Sequence, residues 1–100
     1  MPEFARIIFD QIGGHKFAVM AGAKNFCYSE KERFLAFSIG RNGKGINRVK
    51  IILTPADDYT MQFVYVRGAN YKVKAEVEGV YCDMLQDVFT MNTGMYTKLF

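Results

Sequence analysis

The chain has 100 residues, a formal charge of +3, and 50% hydrophobic and 15% aromatic side chains, a balance that excludes intrinsic disorder and favours a packed core. At this length one domain is expected, residues 1–100, and no apolar run approaches the roughly 20 residues of a membrane-spanning helix. Glu3, Arg6 and Asp10 interrupt the first apolar run, so no signal peptide is expected, and Cys27, Cys82 and His15 are too few and too scattered for a zinc site or a redox pair.

The segment PEFARIIFDQIGG opens the chain as a predicted short helix. Pro2 suits a first helical position, Glu3 suits the positive end of the helix dipole, and Phe4, Ile7, Ile8 and Ile12 are expected on one face. Gly13 and Gly14 supply a left-handed ending. HKFAVM is short and alternates, which predicts a strand; AGAKN is a turn, and FCYS begins the next strand. SEKER reads as a polar hairpin tip. FLAFSI follows, with Leu35, Phe37 and Ile39 on one face, and GRNGKG breaks the chain.

INRVKIILT places Val49, Ile51 and Leu53 inward and Arg48 and Lys50 outward. After the PADD turn, YTMQFVYV points Tyr59, Met61, Phe63 and Tyr65 one way. RGAN turns the chain again. YKVKAEVE has the clearest period of two, with Tyr71, Val73, Ala75 and Val77 expected inward and Lys72, Lys74, Glu76 and Glu78 outward. Gly79 marks an expected switch to a helix over VYCDMLQDVFTMN, with Tyr81, Met84, Leu85, Val88 and Met91 or Asn92 in its apolar stripe and Gly94 as its cap. The sum is an α+β fold: a short N-terminal helix, an antiparallel meander of about five to six strands, and a C-terminal helix packed on one sheet face.

The stretch GGHKFAVMAGAKNF, residues 13–26, invites comparison with a phosphate-binding loop. Such a loop needs a strand, a glycine-rich turn ending in Lys-Ser or Lys-Thr, and a helix whose amides face the phosphates. Here Lys24 is followed by Asn25 and Phe26, and the expected order is helix, then strand. The glycines therefore read as structural punctuation.

QIGGHKFAVMAGAKNF, GINRVKIILT and GVYCDMLQDVFTMNTGMYT together resemble a family of small proteins from phages, prophages and other mobile elements. The resemblance covers nearly the whole chain. It departs at Ala21, where the family usually has threonine, and at Cys82, where alanine is usual. It implies a mobile-element setting and brings no mechanism with it.

The residues offer little for catalysis. His15 is the only histidine, and neither Ser29 nor Ser38 lies near it in sequence. Asp57 with Asp58 reads as a turn initiator, and Asp83 with Asp87 as a solvated helix face. No enzyme, cofactor or metal is expected. RNGKGINRVK is more informative, because Arg41, Lys44, Arg48 and Lys50 stand there without an acid. Lys72 and Lys74 are expected to extend the same basic face, the footprint of a phosphate-backbone binder. GRNG matches the Gly-x-x-Gly of KH domains, but its flanks are strands rather than helices, and no RNP pattern is present. Phe26, Tyr28 and Phe34 are stacking candidates. Outward lysines also guard sheet edges against aggregation, a role that competes with binding.

The reading favoured by these residues is a non-enzymatic protein that binds nucleic acid, single-stranded and through its phosphate backbone, using Arg41, Lys44, Arg48, Lys50, Lys72 and Lys74. The alternative is an inhibitor of a host enzyme or defence complex, of the anti-CRISPR or anti-defence kind. Its interface would use Asp83, Gln86, Asp87, Tyr96 and Phe100, although closing the core or a homodimer is the favoured role for the MYTKLF tail. Free cysteines suit a reducing compartment, so the expected location is the cytoplasm, that of the host if the protein is phage-encoded.

Overall fold

The structure is a computed structural model that describes residues 1–97. Helix α1 (Glu3–Ile12) buries Ala5, Ile8 and Ile12. Ile7, expected on that face, is 45% exposed. The spacing 5, 8, 12 sets the buried stripe, and a residue one step from Ile8 is turned by about 100° around the helix.

The strand expected over HKFAVM is instead a second helix, α2 (Gly14–Ala21). Phe17 and Ala21, four apart, are completely buried, whereas Val19 is 71% exposed. A strand would have put Phe17 and Val19 on one face; the helix separates them, and that separation matches what the core accepts. Gly13, at φ 130°, breaks α1 and lets the chain restart at once in a new direction.

Five strands follow: β1 (Lys24–Ser29), β2 (Phe34–Ser38), β3 (Arg48–Leu53), β4 (Tyr59–Arg67) and β5 (Asn70–Val80). They pair antiparallel in sequence order, a meander within the expected count. The inward sets Leu35/Phe37, Val49/Ile51 and Tyr59/Met61/Phe63 are buried as their alternation requires. The inner aromatic rings join the layers. Phe17 of α2 meets Phe37 of β2 edge-on at 5.7 Å between centroids and Phe89 at 4.8 Å. Phe89 in turn lies 6.5 Å from Phe63 of β4.

Phe89 belongs to α3 (Leu85–Thr93), which packs on the sheet. That helix begins later than expected, because β5 continues past Gly79 to Val80. Gly79, at φ 67°, lies at an irregularity where Tyr59 and Met61 face Val80 and Val77, and a left-handed residue there lets the strand absorb an extra position and continue. Leu85, Val88 and Phe89 are the buried stripe of α3, so Tyr81, Met84 and Met91 are exposed rather than inward. Gly94 ends the helix in the left-handed conformation, as expected. Beyond it the chain turns back onto the start of α3: the Gln86 amide donates to the carbonyl and hydroxyl of buried Thr97 at 2.9 and 3.0 Å.

A second irregularity in β5 alters which side chains share a face. Phe63 faces Ala75, but the next residue, Val64, faces Val73, so Lys74 is extra. Cross-strand partners point to the same side of a sheet. Val73 and Tyr71, paired with Val64 and Val66, therefore lie on the side away from the helices, and both are exposed, at 44% and 61%. This corrects the inward placement expected for Tyr71 and Val73. Ala75 and Val77, on the other side of the bulge, remain on the core face.

Two outcomes test this packing. A Cβ on Gly13 would lie 2.8 Å from Phe17 Cβ and 3.1 Å from Gln86 Nε2, at a φ that side chains resist. Gly13→Ala should cost about 1–3 kcal/mol in denaturant unfolding, while Gly43→Ala, with open space around it, should stay within about 0.5 kcal/mol. The Tyr59 hydroxyl donates to Gln11 Oε1 at 2.6 Å, and its pKa is raised above 10.0 by burial and then by the electrostatic effect of Cys82. A raised folded-state pKa makes the folded state hold its proton longer, so this stabilisation is complete below pH 10 and lost as pH rises above it. Tyr59→Phe should lose about 1 kcal/mol at neutral pH and show a shallower fall in stability above pH 10.

Candidate nucleic-acid interface

The three helices cover one side of the sheet and leave the other open. Strand register lays out the open side in rows. One row runs Ser38, Arg48, Val64, Val73; the next runs Cys27, Ala36, Lys50, Gln62, Glu76; a third runs Ser29, Phe34, Ile52, Thr60. Arg48 and Lys50 thus occupy the middle strand of the open face, as their alternation with Val49 and Ile51 predicts.

Both cations are held by neutral groups. The Arg48 guanidinium donates to Ser38 Oγ at 3.2 Å and to Cys27 Sγ at 2.8 Å. The Lys50 ammonium stands 4.2 Å from the centroid of the Phe34 ring. Glu76, in the same row as Lys50, accepts instead from the Gln62 amide at 2.7 Å. Among the described residues neither cation has a carboxylate partner, so their charge is oriented without being neutralised. Cys27, Phe34, Ala36, Arg48, Lys50, Val64 and Tyr71 enclose a shallow depression of about 190 Å³. Arg48 also borders a second depression of about 340 Å³ with Lys24, Asn25, Ser38 and Asn47.

Arg41 and Lys44 extend from the loop that joins β2 to β3. Asn42 ties that loop together: its Oδ1 accepts from the backbone of Lys44 and Ile46, and its Nδ2 donates to the carbonyls of Gly40 and Ile46. The buried Ile46 side chain anchors the far side. The glycine-rich turn is therefore a shaped loop that presents two exposed cations.

Lys72 does not extend this face in the way the alternation suggests. Lys72 pairs with Tyr65, whose neighbours Val64 and Val66 point to the open side, so Lys72 points to the helix side. Lys74 is the bulge residue. Of the six residues expected on one basic surface, Lys72 is the one that strand register turns away from it.

The fold adds cations that sequence distance hid. Lys24 pairs with Ser38, beside Arg48, and Arg67 lies at the tip of the β4–β5 hairpin. The loop carrying Arg41 and Lys44 is joined to that hairpin, because Asn47 donates to the Val66 carbonyl and accepts from its amide. Lys24, Arg41, Lys44, Arg48 and Arg67 thus collect at one end of the sheet. The β1–β2 and β3–β4 turns at the other end carry Glu30, Glu32, Asp57 and Asp58 together with Lys31 and Arg33, so that end is mixed in charge with a small acidic excess. Charge runs along the strands, and residues 33–56 contain no acid.

The remaining candidates lie elsewhere. Asp83, Asp87 and Tyr96 are exposed around α3, with Tyr96 at 81%. Gln86 is half-buried and its amide is engaged by Thr97. Phe100 lies outside the described residues. His15 is exposed on α2, and the hydroxyls of Ser29 and Ser38 accept from the Glu32 amide and from Arg48. A helix start does stand behind Gly13, contrary to the expected helix-to-strand order. The glycines nevertheless follow α1 and not a strand, so the arrangement is not that of a phosphate-binding loop. Stacking candidates Phe26 and Phe34 part company: Phe26 is part of the aromatic core beside Phe9 and Phe37, and Phe34 is on the open face. Tyr28 is exposed on the edge strand.

Among the described residues no group of three His, Cys, Asp or Glu side chains could hold a metal ion, and no helix is long and apolar enough to cross a membrane. No protein-family model, curated protein sequence or solved structure matches the chain.

Because Lys44 is exposed and Lys50, among the described residues, has no carboxylate partner and stands over the Phe34 ring, their charges contribute little to folding. Lys44→Glu combined with Lys50→Glu should lower unfolding free energy by no more than about 1 kcal/mol. A loss well above that would make these cations part of the scaffold.

Proposed function

We propose that this chain is a non-enzymatic binding protein of mobile-element type that holds single-stranded nucleic acid by its phosphate backbone. The observation that carries the reading is the collection of Lys24, Arg41, Lys44 and Arg48 at one end of an uncovered sheet face, with Lys50 one row further in and no acid between residues 33 and 56. A polyanion contacts several such cations at once and releases counterions from each phosphate it brings. Neutral partners hold Arg48 and Lys50 in place, which limits the ordering cost of binding and leaves their charge available. The open face supplies a path across the strands, and host cytoplasm supplies both the ligand and the reducing conditions that suit exposed Cys27 and Cys82.

One feature supports a second reading, inhibition of a host enzyme or defence complex through protein contact. Met91 in α3 and Tyr96 just after it expose 80% and 81% of their surface, and the first turn of that helix carries Asp87, on the side of the sheet opposite the basic face. Large exposed apolar groups are a common basis for protein interfaces.

Fluorescence anisotropy with labelled single and double strands distinguishes these readings. If four cations each neutralise one phosphate, single-strand affinity should fall roughly 50-fold between 50 and 200 mM salt. Lys44→Glu with Lys50→Glu should abolish most of that affinity and flatten the slope. Absence of binding at 50 mM salt would retire the nucleic-acid reading and leave the α3 surface as the site to examine by pull-down of host proteins.

A further inference from the structure

Tyr71 stands out on the open face. It is 61% exposed, yet its backbone is fixed by pairing with Val66. Among the described residues its ring and hydroxyl have no partner. It is there only because Lys74 is extra in β5; regular alternation would turn the ring toward the helices. The exposed ring borders the 190 Å³ depression, whose other walls are Phe34 and the cations Arg48 and Lys50. Val64 and Ala36, 2% and 4% exposed, form a smooth apolar floor.

We propose that Tyr71 is a base-stacking residue, and that one unpaired nucleobase lies against its ring in this depression. This rests on the nucleic-acid reading of the same face and adds a base contact to the backbone contacts. The chemistry fits a flat π-system with an attached anion. An aromatic wall and an apolar floor accept the face of a base, while Arg48 and Lys50 stand where the adjoining phosphate would lie. A membrane-facing apolar patch would not need two cations lining a pocket this small. A duplex keeps its bases stacked inside and cannot offer one to the depression, so the site selects single strands. Backbone cations by themselves would not make that selection.

The test compares an oligothymidine with an abasic strand of equal length and equal phosphate count, at 50 mM salt. Tyr71→Leu keeps an apolar side chain on the strand and should weaken oligothymidine binding about 5- to 100-fold, while abasic binding stays unchanged. Tyr71→Phe keeps the ring and should bind nearly as the original chain does, which guards against a folding artefact in the leucine variant. The chain contains no tryptophan, so Tyr71→Trp creates a single reporter whose emission should be quenched by oligothymidine and not by the abasic strand. Equal binding of the two strands by the original chain, or full oligothymidine affinity in Tyr71→Leu, would overturn stacking while leaving backbone binding intact. If neither strand binds, the backbone reading fails and the stacking proposal with it.

Discussion

The fold depends on Phe17. Its ring lies between Phe37 of the sheet and Phe89 of α3, with edge-on contacts to both. Those contacts make one body of three short helices and a sheet, none of which could persist alone: isolated helices of 8 to 10 residues are marginal in water, and a lone sheet has no cover for its apolar side. Truncating a fully buried phenylalanine costs about 3–5 kcal/mol, a large fraction of the stability expected for a domain of this size. The requirement that Phe17 sit at this junction decides the conformation around it. Residues 14–21 become a helix, Gly13 takes a φ of 130°, and Gln86 closes over the gap.

One-sided closure has a direct consequence for the open face. All helices serve the same side, so the outward residues of β2, β3 and β4 are selected only by solvent, by their neighbours and by whatever binds. The row containing Ala36, Lys50 and Gln62 and the row containing Ser38, Arg48 and Val64 are a mixture of small, apolar and cationic groups. Edge protection alone accounts poorly for that mixture. Lysines that block edge-to-edge pairing stand on edge strands, whereas Arg48 and Lys50 belong to β3, the central strand.

The alternation of β2, β3 and β4 was legible because each strand buries one face and has no interruption in the sheet's middle. Period two then identifies Leu35, Phe37, Val49, Ile51, Met61 and Phe63 without further information. Two segments defeated that logic for different reasons. HKFAVM is too short for periodicity to separate strand from helix, and the deciding contact, Phe17 with Phe89, joins residues 72 positions apart. YKVKAEVE alternates without a flaw, but Lys74 is extra with respect to β4, and nothing in one strand's own pattern reveals what its partner lacks. The site inherited both limits. Arg41, Lys44, Arg48 and Lys50 are close in sequence and could be grouped; Lys24 and Arg67 join them only through pairing, and Lys72 leaves them for the same reason.

The bulge therefore does more than shift a register. Without it, Tyr71 and Val73 would compete for space under the helices and Lys72 would stand on the open face beside Val66. With it, Tyr71 and Val73 take the open-face positions opposite Val66 and Val64, and Lys72 turns to the helix side. A face of lysines attracts any polyanion equally and holds it by charge alone. A face with Arg48 and Lys50 beside Phe34 and Tyr71 can also discriminate by shape, since stacking requires an exposed planar group and charge does not. Edge strands acquire bulges because the unpaired side leaves room for an extra residue, and β5 is such a strand. The same freedom that lets its outer edge deform is what places Tyr71 within reach of the depression.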